Sequence, residues 1–254
     1  MSLNHFETYT SYVPASIELF SAPGFLISNL VISGFIIFRY FLMVLPFHFL
    51  RSNQISAGPL KPFQIRSEIK YSILSTLFFS LSGYLVALLW DLGWTQIYLK
   101  FDDFGFFYLP ISFLIYGLVH EIYFYFTHVW MHKPNIFKKV HYIHHQSNPT
   151  SPWASFSFHP YEGLVHALFL PLMVLVIPIH PVVLISYLMF MTVTAIINHL
   201  GFELLPFKKL NRFFISGSHH GLHHKFYNGN YGLYFCFIDR IMNTEVKNKK
   251  EVLL

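Results

Sequence analysis

HVWMHKPNIFKKVHYIHH, from His128 to His145, places five histidines in eighteen positions. His128 and His132 are four apart, and His141, His144 and His145 stand at i, i+3 and i+4, so on helices each set projects its imidazoles to one side. Neutral imidazole is the commonest protein metal ligand. Farther along, His219-His220-Gly221-Leu222-His223-His224 repeats the H-x-x-H-H spacing. Sixteen histidines in 254 residues, over roughly 250 windows, predict about 0.06 such matches by chance. The chain has two, so composition does not account for them, and the fold is expected to bring the clusters together around metal.

The remaining composition says where this chemistry sits. A content of 54% hydrophobic, 20% aromatic and 11% charged residues excludes an ordinary soluble domain. The single cysteine, Cys236, excludes an internal disulfide and argues against cysteine-based zinc or iron–sulfur sites, leaving histidine to bind metal. A net charge of +5 is spread over the ends of apolar segments, which fits positive-inside orientation and anionic lipid, not nucleic acid. Met1 to Gly24 lacks the basic start and apolar core of a cleaved leader, so the first apolar segment reads as a retained anchor.

Outward from the histidines, the chain divides into membrane segments. A first span is expected over Phe25 to Leu50, with Arg39 inside it as a snorkelling or interface arginine. The polar connector Arg51 to Lys70 is placed in the cytoplasm, and a second span follows over Tyr71 to Trp90. Asp91, Asp102 and Asp103, with an aromatic belt of Trp90, Trp94 and Tyr98, mark the opposite side. A third span, Phe106 to Trp130, then delivers His128 and His132 beside Lys133, Lys138 and Lys139. Leu164 to Ile197 is too long for one helix and is split by Pro178-Ile179-His180-Pro181, so it reads as a helical hairpin. Two legs return the chain to the cytoplasmic side, where the second H-x-x-H-H follows; a single span would strand it across the membrane.

The fold class expected is therefore an all-α integral membrane protein, with two spans, a third span and a helical hairpin under a cytoplasmic, histidine-rich helical cap. Residues 1–64 form the lead, first span and basic connector, 65–245 the catalytic domain, and 246–254 a polar tail. The strongest ligand set is His128, His132, His141, His144, His145, His199, His220, His223 and His224, with His219 and His159 in reserve. One metal takes four to six ligands, so this set suits two. His120 lies two turns before His128, too far along a helix to share its metal, and His166 reads as a packing or pocket residue. Glu121, Glu162, Glu203 and Asp239 are candidate partners for the outer imidazole nitrogens.

Spacing alone does not choose the metal, since imidazole suits iron, zinc, copper and nickel. The ordered motifs H-x3-H (His128, His132), H-x2-H-H (His141, His144, His145) and H-x2-H-H (His220, His223, His224), between apolar hairpins, resemble the fatty acid hydroxylase/sterol desaturase superfamily. Ser157-Phe158-His159-Pro160-Tyr161-Glu162-Gly163, Asn198-His199-Leu200-Gly201, Asn230-Tyr231-Gly232 and Asp239-Arg240-Ile241 resemble its sterol C-5 desaturase and C-4 methyl oxidase branch. The resemblance covers about residues 65–245. It implies two iron ions held by histidine (zinc being a substitute in purified protein), O₂, an external electron donor protein, and hydroxylation or desaturation of a sterol or fatty acyl substrate. Some relatives have two histidines where this chain has only His199, which is why His159 and His219 are held in reserve. Tyr123, Phe124, Phe156, Phe158, Tyr227 and Tyr231 are expected to line the lipid channel. A bacterial inner membrane is favoured over endoplasmic reticulum. The competing readings are a membrane metal transporter and a zinc-dependent membrane hydrolase.

Overall fold

Proline and a capping side chain open most of the long helices, fixing where each apolar run begins. The computed structural model describes residues 18–54, 57–204 and 212–246. Helix α1 (Ala22–Ser52) starts at Ser21, whose Oγ accepts from the Gly24 amide at 3.0 Å. Helix α2 is Pro62–Asp91 and α3 is Tyr108–Met131. Two short helices follow, α4 (Pro134–Val140) and α5 (Tyr142–His145). The hairpin is α6 (Pro160–Val176) and α7 (Pro181–Asn198), and α8 (Gly217–Phe226) and α9 (Phe237–Ile241) complete the chain. His159 and His180 cap the two hairpin legs, each accepting from the amide two residues on, with proline next.

Among the described residues no strand forms, and α1, α2, α3 and α7 are each long and apolar enough to cross a membrane. The hairpin leg α6 has 17 residues, roughly 26 Å at 1.5 Å per residue, a little under a bilayer's hydrocarbon thickness. Leu30, Val31, Phe38 and Phe49 of α1 point outward, as a lipid-facing surface requires. Inward faces instead use small and hydroxylated residues that let backbones approach. Ser82 donates to the Ala167 carbonyl at 2.6 Å, Ser75 to that of Phe158 at 3.2 Å, and Gly83 sits against Ile32.

One boundary and one side chain differ from the sequence reading, and one contact adds to it. The connector expected over Arg51 to Lys70 is helical from Pro62, because buried Glu68 fastens this turn by accepting from Ser151 at 2.6 Å and Gln64 at 2.8 Å. Arg39 does not snorkel: it is 6% exposed and turned inward. The segment before α3 is tied to the hairpin turn, Tyr98 N–H donating to the Ile179 carbonyl and Ile179 N–H to that of Gln96. The lead as far as residue 17 and the tail beyond Val246 lie outside the described residues.

Two apolar clusters hold the bundle. Tyr116, Phe169, Val174, Ile179, Val183 and Tyr187 join α3 to the hairpin. Tyr40, Val44, Trp153, Phe156 and Ile196 join α1 and α7 to the short 3₁₀ turn Pro152–Phe156. That turn packs among α1, α2 and α7.

Candidate metal centre

The α3 helix runs out at His132, where Lys133 turns extended and Pro134 opens the next helix. This break lets α4 and α5 fold back, so that His141 and His145 face the end of α3 that carries His128 and His132. His223 from α8 completes a group of five. His144, which points to the other side of α5, meets His199 at the end of α7 and His220 and His224 of α8 in a group of four. Within each group one nitrogen per ring lies within 4.8 Å of all the others.

The ring orientations are specific. His128 Nδ1 donates to the Tyr231 carbonyl at 2.8 Å, His199 Nδ1 to Ala195 at 2.7 Å, His223 Nδ1 to Gly229 at 2.8 Å and His144 Nδ1 to Ser157 at 3.3 Å. His141 Nδ1 meets the Glu162 carboxylate at 2.7 Å. A carbonyl can only accept, so His128, His144, His199 and His223 carry their proton on Nδ1 and present a bare lone pair at Nε2, and His141 does the same when Glu162 is ionised. Those lone pairs face one another: His128 and His141 Nε2 are 3.0 Å apart, and His144 and His199 Nε2 are 3.2 Å apart. Two bare nitrogens repel at such a distance unless a cation lies between them. Imidazole nitrogens each about 2.1 Å from a shared ion stand about 3.0 Å apart at a right angle and about 3.4 Å apart at the tetrahedral angle. The remaining Nε2 pairs, at 3.1 to 3.3 Å, fall in the same range. The donor set fits two metal ions.

Burial, and then the neighbouring imidazoles, hold His141, His144, His145, His220, His223 and His224 well below the ordinary histidine pKa. They are neutral at pH 7, the form that binds metal.

Carboxylates shape the surroundings at two removes. Glu162 touches a ligand ring directly. Glu121 accepts the amides of Leu233 and Tyr234, the latter at 2.6 Å, while Asp239 accepts those of Tyr231 and Gly232 at 2.8 and 2.9 Å. Together they fix the loop whose Gly229 and Tyr231 carbonyls orient His223 and His128. Gly232 has no room for a Cβ, which would come within 2.9 Å of Glu121 Oε1 and the Phe235 carbonyl. Glu203 lies elsewhere, accepting from Ser216 at 2.7 Å beside the start of α8. For Glu162→Gln we expect about 10- to 100-fold weaker metal binding in the group of five, with the group of four unaffected. Metal titration of this variant, with its two sites resolved by stoichiometry, checks this; equal weakening of both groups would contradict the assignment.

The reserve candidates stand apart from both groups. His159 is spent on capping α6. His219 lies near Asp239, Nε2 to Oδ2 3.8 Å, and forms a third potential ligand trio with Cys236 and Glu245. That trio makes a poor site, since burial pushes the Cys236 thiol up to about 12 and Arg240 pairs with Glu245 at 3.0 Å.

Beside the centre lies a cavity of about 200 Å³. Phe124 and Phe158 line it and pack on the rings of His128 and His144, with centroids 5.0 and 5.2 Å apart. Phe156 also lines it, as expected, whereas Tyr227 and Tyr231 instead pack on the histidines themselves and Tyr123 donates to the Val165 carbonyl. Sequence reasoning missed the network in which His120 Nδ1 meets the hydroxyls of Tyr187 at 2.7 Å and Tyr234 at 2.9 Å. No spacing signal links residues so far apart in the chain.

Fold and site thus define a helical membrane protein with a paired histidine centre beside an apolar cavity. The chain belongs to the fatty acid hydroxylase family, which matches residues 113–244. It is 30% identical over 222 residues to lathosterol oxidase of Homo sapiens, covering 85% of this chain and 73% of that protein. Lathosterol oxidase of Mus musculus is 31% identical with the same coverage. A Delta(7)-sterol 5(6)-desaturase of Gibberella zeae is 31% identical over 147 residues, 58% of this chain and 45% of that one. No solved structure matches. With four apolar helices and these relatives, the chain is a multi-pass integral membrane protein.

Proposed function

We propose that this protein is a membrane oxidoreductase that holds two iron ions, one in each histidine group. It draws electrons from an external donor protein and hydroxylates or desaturates a sterol or fatty acyl lipid with O₂. The observation that carries this reading is the lone-pair contact of His144 against His199, both bonded to carbonyls through Nδ1, which a shared cation relieves; His128 and His141 show the same spacing in the other group. Iron and zinc both accept imidazole, and the oxidase and desaturase names of the relatives favour iron. Bound iron would supply O₂ activation and hydrogen removal from an unactivated C–H bond.

The protein's part is positioning and exclusion. Phe124, Phe158 and Phe169 make a dry wall between cavity and histidines. His120 is stacked on Phe169 at 4.0 Å and pinned by two tyrosine hydroxyls, so this wall keeps its shape. Both groups sit at one end of the helices, near Lys133, Lys138 and Lys139, which supports a cytoplasmic placement reachable by a soluble donor. It also argues against a transport path through the spans.

Anaerobic purification followed by metal analysis is expected to give about two irons per chain. Reduced protein exposed to O₂ and a lipid extract should then form an oxidised lipid. Stoichiometric zinc with hydrolytic turnover would sink the reading.

A further inference from the structure

Arg39 sits midway along α1, within a membrane-crossing helix, yet lines the cavity next to the metal centre. It is 6% exposed, and its Nε is buried without a hydrogen-bond partner. No ion pair to it exists among the described residues; the nearest compensation is the ring of Phe156, 6.0 Å from the guanidinium carbon. An arginine is always charged, and a cation–π contact offsets only part of the cost of taking that charge out of water. The other buried arginine shows the contrast. Arg51 donates to the carbonyls of Thr150, Gly58 and Ala57.

Most other polar groups lining the cavity are hydrogen-bonded, and His166 lies 3.6 Å from the Glu162 carboxylate. Ser82 donates to Ala167, Ser155 to Pro152, and His120 and Tyr187 bond to each other and to Tyr234. Among the described residues, Arg39 is the one Lys, Arg, Asp or Glu side chain lining the cavity, and its charge is left open to a ligand. Intramembrane charges that face a cavity mark binding sites, and a guanidinium fork matches a carboxylate or phosphate. We propose that the cavity accepts a lipid whose head is an oxyanion, which Arg39 binds while the apolar body lies against Phe124, Phe158 and Phe169 toward the histidine groups. This rests on the reading of the cavity as the substrate site and narrows its substrate class to an acidic lipid. The oxyanion is either a fatty-acid carboxylate or a lipid phosphate.

Two matched pairs test it on the full chain in neutral detergent, by equilibrium binding: palmitate against methyl palmitate, and palmitoyl lysophosphatidate against monopalmitoylglycerol. The acid of at least one pair should bind about tenfold or more tightly than its neutral mate, and which pair does so tells carboxylate from phosphate. Arg39→Met should reduce that ratio to near one with the neutral lipid's affinity unchanged, and Arg39→Lys should retain part of it. Equal binding of acid and neutral lipid by the wild-type protein overturns the proposal without any variant having to fold. So does selectivity that survives Arg39→Met. A protein that loads iron and oxidises a lipid but shows no acid preference fails this inference alone; acid preference without iron or oxidation fails only the enzymatic reading.

Discussion

His144→Ala and His223→Ala are each expected to abolish lipid oxidation while removing different metal ions. His144 belongs to the group of four and His223 to the group of five, on opposite sides of α5 and α8. Deleting a ligand should weaken metal binding by more than the roughly 100-fold upper end seen for outer hydrogen-bond partners. Iron content should fall from about two to about one per chain in either variant, and the double variant should hold none. Both singles lose turnover because the reaction needs both groups beside one cavity. Retained activity in both would refute a shared centre, and loss of both irons from one single variant would show that the groups are not separable sites.

Acid should be the most effective way to dismantle the protein. Six ligand histidines are held neutral in the folded state by burial first and by their neighbours second, whereas in the unfolded chain each titrates near 6.5. Their folded-state pKa values are depressed, so the unfolded state binds more protons below pH 6.5, and stability present above that value is lost as pH falls. Each such histidine contributes a slope of about 1.4 kcal/mol per pH unit. Several acting together rival the whole stability of a domain within one or two units. Bound metal leaves the direction unchanged, because protons compete for the same nitrogens. Thermal unfolding and metal content in detergent, measured at pH 7.5, 6.5 and 5.5, should show little change over the first step and a steep loss over the second. Equal stability at pH 7.5 and 5.5 would overturn the account.

Much of this architecture is written in local sequence. The apolar runs, the proline breaks at Pro134 and Pro178 to Pro181, and the i, i+3, i+4 spacing of the histidines follow from backbone geometry and hydrophobicity alone, which act over a few residues. They suffice to give a helical membrane protein, a helical hairpin, and nine histidines that the fold gathers into two groups. Tertiary structure decided the partition of that set. His144 and His145 are adjacent, yet successive helical positions diverge by about 100° around the axis, so they join different groups. The same holds for His223 and His224. Packing of distant elements also settled roles that no spacing encodes: Glu162 on His141, Glu121 and Asp239 on a loop that serves His128 and His223, His159 as a helix cap, and Arg39 turned from the lipid into the cavity. Sequence determined which side chains are the candidate ligands and on which elements they lie. Only the close approach of those elements determined which nitrogens meet in one group, because that depends on distances of about 3 Å between residues as many as 91 positions apart.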